Sequence, residues 1–360
     1  TCGICVEKCP FDAIEIINLP QELTEEPTHR YNENAFALYG LPVPEPGKVT
    51  GILGPNGIGK STAVKGLAGE QVPNLGDYSG EPGWDAVLER FRGSELQQFI
   101  TRLIDGEISI ARKPQYVDQI PKQFDGKTRE LLEATDERGE LDYLVDRLSI
   151  RPVMDQPIDS ISGGELQRVA IAATLARDAD FYFLDEITPY LDVGQRMVAA
   201  RLIQELAEDG DRSMLVVEHD LAILDLLADS IHVGYGEPGA FGVITPPKSV
   251  RKGINEYLEG YLTNENMRIR PDKITFEEHA PRATTKGMPL VEYPDIEKSY
   301  GDGEFSLDVE SGTIYEGEVL GIVGPNGIGK STLAKMFAGS IEPDVGSLDF
   351  QLDISYKPQY

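Results

Sequence analysis

The sequence predicts an α/β fold, and three observations lead to this prediction. A glycine-rich string occurs twice, as GILGPNGIGKST at 51–62 and as GIVGPNGIGKST at 321–332. Each copy follows an apolar, strand-like run, Val49–Leu53 or Val319–Val323, and precedes a helix-like segment. A further apolar run, FYFLDE at 181–186, is typical of a buried strand. Strand, glycine-rich loop and helix in this order form the context of a phosphate-binding P-loop, so we expect two units with a P-loop NTPase fold.

Length and composition indicate a folded protein of about two domains. A chain of 360 residues is longer than an ordinary domain with a single hydrophobic core. Its 40% of apolar residues is enough to build compact cores. We see neither a membrane-length apolar run nor a secretory leader, so we expect a cytoplasmic protein that does not cross a membrane. The net charge of −28 excludes a basic nucleic-acid-binding surface over the whole protein. This charge favours a protein that works in a salt-rich cytosol, where salt screens the carboxylates. The alternative is that repulsion between the carboxylates keeps the protein soluble at low salt.

The three cysteines are crowded at one end of the sequence. Cys2, Cys5 and Cys9 form the string CGICVEKCP, which matches the last three positions of the ferredoxin run C-x2-C-x2-C-x3-C-P. In that run the thiolates hold 4Fe–4S clusters, so Cys2 and Cys5 would bind one cluster and Cys9 a second. A disulfide framework is the alternative, and the odd count disfavours it. Because the sequence begins inside this motif, we expect a fragment that holds neither cluster stably.

The glycine-rich loops have the residue types that phosphate binding requires. Gly57 and Gly59 allow backbone torsions closed to other residues, so successive N–H groups can converge on phosphate oxygens. Lys60 supplies a cation for the terminal phosphates, and the Ser61 hydroxyl is a ligand for Mg²⁺. A glycine-rich turn that binds nothing is the alternative, and two matches in context disfavour it. The predicted nucleotide-binding residues are Asn56, Gly57, Gly59, Lys60, Ser61 and Thr62 in the first copy and Asn326, Gly327, Gly329, Lys330, Ser331 and Thr332 in the second.

Two acids end the strand-like run at 181–186. A carboxylate at the carboxyl end of a strand, here Asp185, can anchor the hydration shell of Mg²⁺. The adjacent Glu186 can orient or deprotonate an attacking water. A buried strand with an acidic exit is the alternative interpretation, but it leaves the order of the surrounding motifs unexplained.

That order resembles the ABC-type ATPases. After the first P-loop come Gln115 in KPQYVDQ, SGGE at 162–165, the acid-ended strand, YLD at 190–192 and His219 after the apolar run MLVV. The resemblance implies that SGGE is the signature motif, Asp192 the D-loop aspartate and His219 the switch histidine near the γ-phosphate. The implied catalytic residues are Glu186, His219, Asp185 and Gln115, and the implied Mg²⁺ ligands are Ser61, Gln115, Asp185, Ser331 and Gln359.

In such ATPases each nucleotide lies between the P-loop of one cassette and the signature motif of the other. We therefore expect Ser162, Gly163, Gly164 and Glu165 to face the second P-loop around Lys330. The sequence ends at Tyr360, inside the second glutamine motif. We expect the fragment by itself to be hydrolysis-deficient.

A ferredoxin-like segment followed by two cassettes resembles the RNase L inhibitor family of ABC-type ribosome-recycling factors. Strings such as THRY at 28–31, FRGSELQ at 91–97, KPQYVDQIPK at 113–122 and YGEPGAFG at 235–242 support this resemblance. It implies ATP, Mg²⁺ and two 4Fe–4S clusters as cofactors. It also implies a monomer that uses ATP-dependent closure of its cassettes to split post-termination ribosomes into subunits. The implied partners are the ribosome, through its small subunit and rRNA, and a peptide-chain release factor.

The expected domain organisation follows from the motifs and the resemblance. Residues 1–22 would be a ferredoxin-like remnant, 23–235 the first cassette, 236–290 a hinge and 291–360 part of the second cassette. Gly54 and Gln115 are 61 positions apart, whereas Gly324 and Gln359 are 35 apart. The first cassette therefore carries about 26 extra residues near 80–106, where helical spacing predicts a helix–loop–helix insertion. The resemblance implies that this insertion contacts the small ribosomal subunit, and a self-packing helical pair is the alternative.

Two further predictions are less specific, and the sequence departs from the family pattern at one place. Tyr31 and Phe36, with Tyr300 and Phe305 in the second copy, are candidates for stacking on adenine, and core packing is the alternative. The cations between Lys248 and Lys273 are candidates for RNA contact, and a solvated linker is the alternative. Asp185-Glu186 is followed by Ile187-Thr188-Pro189, where the family usually has Pro-Ser.

Two alternative functions would each explain some of these sequence features. The ATPase subunit of a membrane transporter would carry the P-loops but neither the cysteine cluster nor the insertion. A ferredoxin-type electron carrier would need the cysteines but has no use for repeated P-loops.

Overall fold

The computed structural model describes residues 18, 20, 26–80, 83–209, 212–275, 287–301, 305–348 and 354–357. The chain divides into two compact units, Thr1–Thr275 and Phe276–Tyr360. The boundary between the units lies inside the predicted hinge at 236–290, and residues up to 275 cluster with the first unit. Cys2, Cys5, Cys9 and Gln359 lie outside the described residues, so the predictions made for them stay predictions.

The first unit is built on a nine-stranded sheet with helices on both faces. The strands of this sheet are β1 His29–Arg30, β2 Ala37–Tyr39, β3 Val49–Leu53, β4 Ile110–Lys113, β5 Phe181–Asp185, β6 Ser213–Val217, β7 Ser230–Glu237, β8 Phe241–Ile244 and β9 Lys248–Ser249. The helices are α1 Lys60–Leu67, α2 Trp84–Arg90, α3 Glu95–Ile104, α4 Ile120–Gln123, α5 Thr128–Thr135, α6 Leu141–Arg147, α7 Gly163–Leu175, α8 Val193–Glu208, α9 Leu221–Leu227 and α10 Val250–Glu259. Single 3-10 turns span Val117–Gln119 and Arg151–Val153, and a separate ribbon pairs β10 Tyr261–Leu262 with β11 Met267–Arg268.

The strand order places the predicted motifs at one edge of the sheet. The order is β1-β2-β8-β7-β3-β6-β5-β4, with β9 paired to β7. β3 runs parallel to both β6 and β7, and β5 runs parallel to both β6 and β4. Parallel strands end at the same edge of a sheet, where the ligands of open α/β sheets bind. The P-loop after β3, Gln115 after β4, Glu186 after β5 and His219 after β6 therefore meet there.

Continuous apolar runs form the central strands because both faces of the sheet are covered. All five residues of β5 are buried. Alternate side chains enter different clusters, with Tyr182 packing among residues of α7 and α8 and Phe183 packing beside residues of α1 and α3. A parallel strand covered on both faces loses the polar–apolar alternation of a surface strand. The α/β fold predicted from these runs is confirmed.

The predicted helix–loop–helix is present as α2 and α3. The side chain of Ser94 accepts a hydrogen bond from the backbone N–H of Gln97 and so begins α3. Val87, Leu96 and Ile100 are buried and join the core cluster that covers one face of the sheet. The apolar face of the insertion thus packs on its own unit, and its opposite face is exposed.

The second unit contains two strand pairs and one helix in its described part. β12 Pro289–Tyr293 pairs with β15 Gly312–Tyr315, β13 Ile296–Tyr300 pairs with β14 Phe305–Val309, and α11 spans Lys330–Phe337. The predicted strand at Val319–Val323 is wrong for this structure, because these residues are not in a strand. Val319 is 96% and Val323 94% exposed. In the first unit β3 is hydrogen-bonded on both sides, whereas no described strand of the second unit pairs with this run, and an extended segment needs such partners.

None of the helices in the described part of the chain combines the length and the apolarity needed to cross a bilayer.

Candidate nucleotide-binding site

A cavity of about 450 Å³ opens where β3 and β5 end. It is lined by Tyr31, Phe36, Asn56, Gly57, Gly59, Lys60, Ser61, Thr62, Gln115, Tyr116, Asp185, Glu186 and Gly239. Apart from Tyr116 and Gly239, each of these residues was predicted from the sequence. Gly239 comes from the turn between β7 and β8, where its N–H donates to the carbonyl of Gly57 at 3.0 Å. Only the tertiary structure could bring this turn to the P-loop.

The P-loop backbone has the conformation that its glycines were expected to allow. Gly57 and Gly59 have φ values of 80° and 86°, in the left-handed region. A Cβ atom on Gly59 would lie 2.6 Å from the ring of Phe36, so glycine is also required by close packing. This contact keeps an aromatic face beside the phosphate-binding loop.

Lys60 lies with its ammonium inside the loop. Its Nζ donates to the carbonyls of Gly54 and Pro55, each at 2.8 Å. Burial lowers the pKa of Lys60 to about 8, although Glu186 and Asp185 act in the opposite direction. In this position the ammonium can donate hydrogen bonds to phosphate oxygens in place of the two carbonyls.

Asp185 fits a role in holding a divalent cation. Its side chain is buried, and among the described residues its Oδ2 has no hydrogen-bond partner. Burial, and secondarily the charge of Glu186, raise the pKa of this carboxyl. A buried carboxylate oxygen without a donor is costly, and Mg²⁺ with its waters is bound by oxygen ligands of this kind. Ser61 and Gln115 line the same cavity, so these three residues fit Mg²⁺.

Glu186 lies between two polar side chains. The Nε2 of Gln115 donates to its Oε1 at 3.0 Å, and the Nε2 of His219 is 3.9 Å from the same oxygen. Burial, and then the charge of Lys60, lower the pKa of His219, whereas Glu186 acts in the opposite direction. The structure therefore brings the four predicted catalytic residues, Asp185, Glu186, Gln115 and His219, to one place.

Three polar residues behind the cavity were not predicted. Lys113, Gln167 and Glu218 are 0%, 1% and 1% exposed, respectively. Burial lowers the pKa of Lys113 to about 8 against the influence of nearby acids, of which Asp185 is the strongest. One signal in the sequence could have indicated Lys113, since the string KPQY occurs both at 113–116 and at 357–360.

The predicted signature residues do not line this cavity. Ser162 is exposed and begins α7, and Glu165 closes a capping box by accepting from the Ser162 N–H at 2.8 Å. Gly163 and Gly164 form the first turn of the helix. Asp192 likewise begins α8, because its Oδ1 accepts from the N–H of Gln195 at 2.9 Å.

The second unit has a corresponding cavity of about 690 Å³. Its lining includes the predicted Tyr300, Phe305, Asn326, Gly327, Gly329, Lys330, Ser331 and Thr332, together with Ile322, Ala334, Tyr356 and Lys357. The Nζ of Lys330 donates to the carbonyls of Gly324 and Pro325 at 2.7 and 2.6 Å. Both P-loops thus hold their lysine in the same way.

The prediction of RNA contact is wrong for Lys248. Only 2% of its side chain is exposed, and its Nζ pairs with Glu256 at 3.0 Å and with Glu265 at 2.8 Å. A buried ammonium that is paired with two carboxylates is not accessible to a phosphate. In the same stretch, Arg270 donates to the backbone carbonyls of Tyr257 and Leu258.

The fold, the repeated P-loops and the polar residues around Glu186 define a nucleotide-binding cassette. A family model described as ABC transporter matches residues 44–189 and 307–358, which include both loops. The chain belongs to this family.

Within that family, the similarity extends over the whole chain. An uncharacterized ABC transporter ATP-binding protein of Methanocaldococcus jannaschii is 49% identical over 362 residues, covering 100% of this chain and 59% of the relative. A solved structure described as RNase-L inhibitor is 54% identical, with a TM-score of 0.84 over 93% of this chain and 64% of that one. An archaeal ribosome recycling factor, solved in complex with the archaeal ribosomal stalk protein, is also 54% identical, with a TM-score of 0.85 over 94% of this chain and 65% of that one. The resemblance to the RNase L inhibitor family is confirmed, and the chain spans 59% to 65% of the length of these relatives.

Proposed function

We propose that this chain is part of a monomeric, ATP-driven ribosome-recycling protein, which splits post-termination ribosomes by closing its two cassettes on ATP. The observation that supports this most is the 54% identity to an archaeal ribosome recycling factor over 94% of the chain. Two cavities, one lined by Lys60 and the other by Lys330, support this proposal, because such a protein requires two nucleotide sites. The proposed partners are the small ribosomal subunit, its rRNA and a peptide-chain release factor.

In the first site, the residues of the chain bind and orient the nucleotide. Backbone N–H groups of residues 57–61 and the ammonium of Lys60 bind the phosphates, and Tyr31 and Phe36 offer aromatic faces to the base. Ser61, Gln115 and Asp185 would hold Mg²⁺, which neutralises charge on the phosphates when it is bound. The same roles are proposed for Lys330, Ser331 and Gln359 in the second site.

Glu186 is the proposed base. Its carboxylate lies within reach of a water at the cavity, and the bond from Gln115 fixes one oxygen so that the other can accept a proton. The imidazole of His219 lies 3.9 Å from the Glu186 carboxylate, and it would donate a hydrogen bond to the γ-phosphate.

Completion of each site by the opposite cassette is part of the proposal. The exposed Ser162, with Gly163, Gly164, Glu165 and Asp192, would contact the nucleotide held by Lys330 in the other unit. The SGGE residues form the N-terminus of α7, and the partial positive charge of a helix N-terminus suits a γ-phosphate.

The iron–sulfur proposal rests on the cysteine spacing and on family membership. Cys2, Cys5 and Cys9 would contribute to two 4Fe–4S clusters in the full-length protein.

A ribosome-splitting assay with the full-length protein tests the proposed function. Post-termination ribosomes, a release factor, ATP and the protein are combined, and free subunits are measured on sucrose gradients. We expect the wild type to release subunits, whereas Glu186→Gln should bind the small subunit with ATP and fail to turn over. Glu133→Gln, an exposed acid on α5, is the matched control and should act as the wild type. Binding to membranes instead of ribosomes would favour a transporter subunit and overturn the proposal.

A further inference from the structure

A fully buried lysine lies directly behind the two acids that end β5. Lys113 is 0% exposed, and its Nζ donates to the backbone carbonyls of Pro114 at 3.0 Å, Asp185 at 2.9 Å and Glu186 at 3.2 Å. An ammonium has three N–H donors, so these bonds use its full capacity. Since Pro114 precedes Gln115, the lysine joins the glutamine segment to the acidic turn.

A second set of hydrogen bonds holds the turn that follows β5. The Nε2 of Gln167, on α7, donates to the carbonyl of Glu186 at 2.8 Å. Glu218 accepts from the N–H and the hydroxyl of Thr188, at 2.8 and 3.0 Å, and from the N–H of His219 at 2.9 Å. The carbonyl of Glu186 thus receives two donors, and the turn is tied to the segments that carry the signature residues and His219.

These bonds converge on a strained backbone. Glu186 has a φ of 49°, in the left-handed region that residues other than glycine rarely adopt. Such a conformation persists only where the surrounding structure determines it. The direction of the Glu186 carboxylate depends on this torsion, so the donors to its carbonyl also fix where the carboxylate points.

The cost of burying an ammonium argues against a space-filling role. An apolar side chain could fill this position without desolvating a charge, whereas a buried cation stabilises only when its bonds are complete. Lys113 makes all three bonds to backbone carbonyls at the carboxyl ends of two neighbouring strands, β4 and β5. Its side chain therefore couples two elements of the site that are 72 residues apart in sequence.

We propose that Lys113 is a positioning residue for ATP hydrolysis: it holds the backbone of Glu186 in its strained conformation and makes the Gln115 segment and the acidic turn move together. The inference deepens the proposed function and rests on it. Lys113 does not itself line the nucleotide cavity; it contacts the backbone of Asp185 and Glu186, which do, and so it acts through Glu186.

The test compares Lys113→Met with Lys122→Met in the full-length protein. Methionine keeps the apolar stem and removes the donors, and Lys122 is an exposed lysine of the same segment whose side chain is 72% exposed. We expect Lys113→Met to lower kcat for ATP by about 10-fold or more, with KM and the affinity for a non-hydrolysable ATP analogue unchanged. Lys122→Met should match the wild type in both quantities.

A second comparison separates positioning from general loss of structure. In the Glu186→Gln background, Lys113→Met should cause no further fall in the residual rate, because both changes act on the same carboxylate. Should Lys113→Met not fold, Gln167→Met removes the other donor to the Glu186 carbonyl and should show the same fall in kcat at constant KM.

The outcomes separate this inference from the function on which it rests. A wild type that hydrolyses no ATP overturns the proposed function. An active wild type with an unchanged kcat in Lys113→Met overturns the positioning role. The positioning role is also overturned if Lys113→Met lowers the affinity for nucleotide together with kcat, or if its effect adds to that of Glu186→Gln. Either result indicates a general structural role.

Discussion

At the scale of single residues, the chemistry of the first site depends on how charges are balanced around Glu186. Its Oε1 accepts a hydrogen bond from the amide of Gln115, and the Nε2 of His219 lies 3.9 Å from the same oxygen. Lys60 is buried nearby, and its charge disfavours a second cation on the imidazole. Burial and the charge of Lys60 therefore favour the neutral imidazole, which suits the proposed role of His219 as a hydrogen-bond donor to a phosphate.

The pKa of His219 gives a direct measurement of this balance. We expect a value below 6.5 in the wild type, because burial and then Lys60 lower it. Glu186→Gln should lower it further, since removal of the carboxylate takes away the charge that favours the imidazolium. The pKa is measured from the histidine proton resonances by NMR between about pH 4 and pH 8, with Glu133→Gln as the unaffected control. A wild-type value above 6.5, or a rise in Glu186→Gln, would contradict the arrangement.

At the scale of elements, the insertion is a helical pair attached to the core by one face. Its apolar residues enter the same cluster as α1 and β5, so its position is set by the unit that carries the nucleotide cavity. The start of α3 is defined by Ser94, which accepts from the Gln97 N–H and donates to the Phe91 carbonyl at 2.6 Å. The Ser94 hydroxyl thus links the end of α2 to the start of α3, beside the bond from the Gly93 N–H to the Gln97 side chain at 2.8 Å.

Ser94→Ala should lower the free energy of unfolding by about 1 kcal/mol, because the helix loses its N-cap. Urea denaturation followed by circular dichroism measures the change. Thr101→Ala is the matched control in the same helix, since the Thr101 hydroxyl is exposed and, within the described part of the chain, bonds to the carbonyl of Gln97 and to no other group. Alanine favours the helix, so this variant should be as stable as the wild type or slightly more stable. Equal losses in the two variants would show that the cap has no special role.

At the scale of the whole molecule, the charge of −28 dominates the long-range electrostatics. The acidic side chains outnumber the basic ones by 61 to 33, so many carboxylates have no oppositely charged residue to balance them. Their mutual repulsion opposes the compact state, and salt weakens it because the Debye length falls to about 3 Å at 1 M.

The thermal midpoint of unfolding should therefore rise as KCl is increased from about 0.1 to 2 M, by about 2 to 4 °C for each kcal/mol of repulsion removed. Differential scanning calorimetry measures this shift. A variant with four exposed carboxylates changed to their amides, at Asp85, Asp105, Asp159 and Glu208, should show a smaller increase. A midpoint that does not change with KCl would mean that self-repulsion does not limit stability.

The amino-acid sequence alone was enough to identify the α/β class, the two P-loops and most residues that line the first cavity. These are local signals, because the glycines and the lysine of each loop are neighbours in sequence. The two loops accordingly hold Lys60 and Lys330 by equivalent carbonyls, although the second lies beside a run that is not paired in a sheet. Tertiary structure decided which distant residues meet behind these loops. Lys113, Gln167 and Glu218 converge on the turn at Glu186 only because β4, β5 and β6 are neighbours in the sheet and α7 packs on it. A polar side chain in a sequence gives no sign of such partners, since burial and hydrogen bonding depend on strand order.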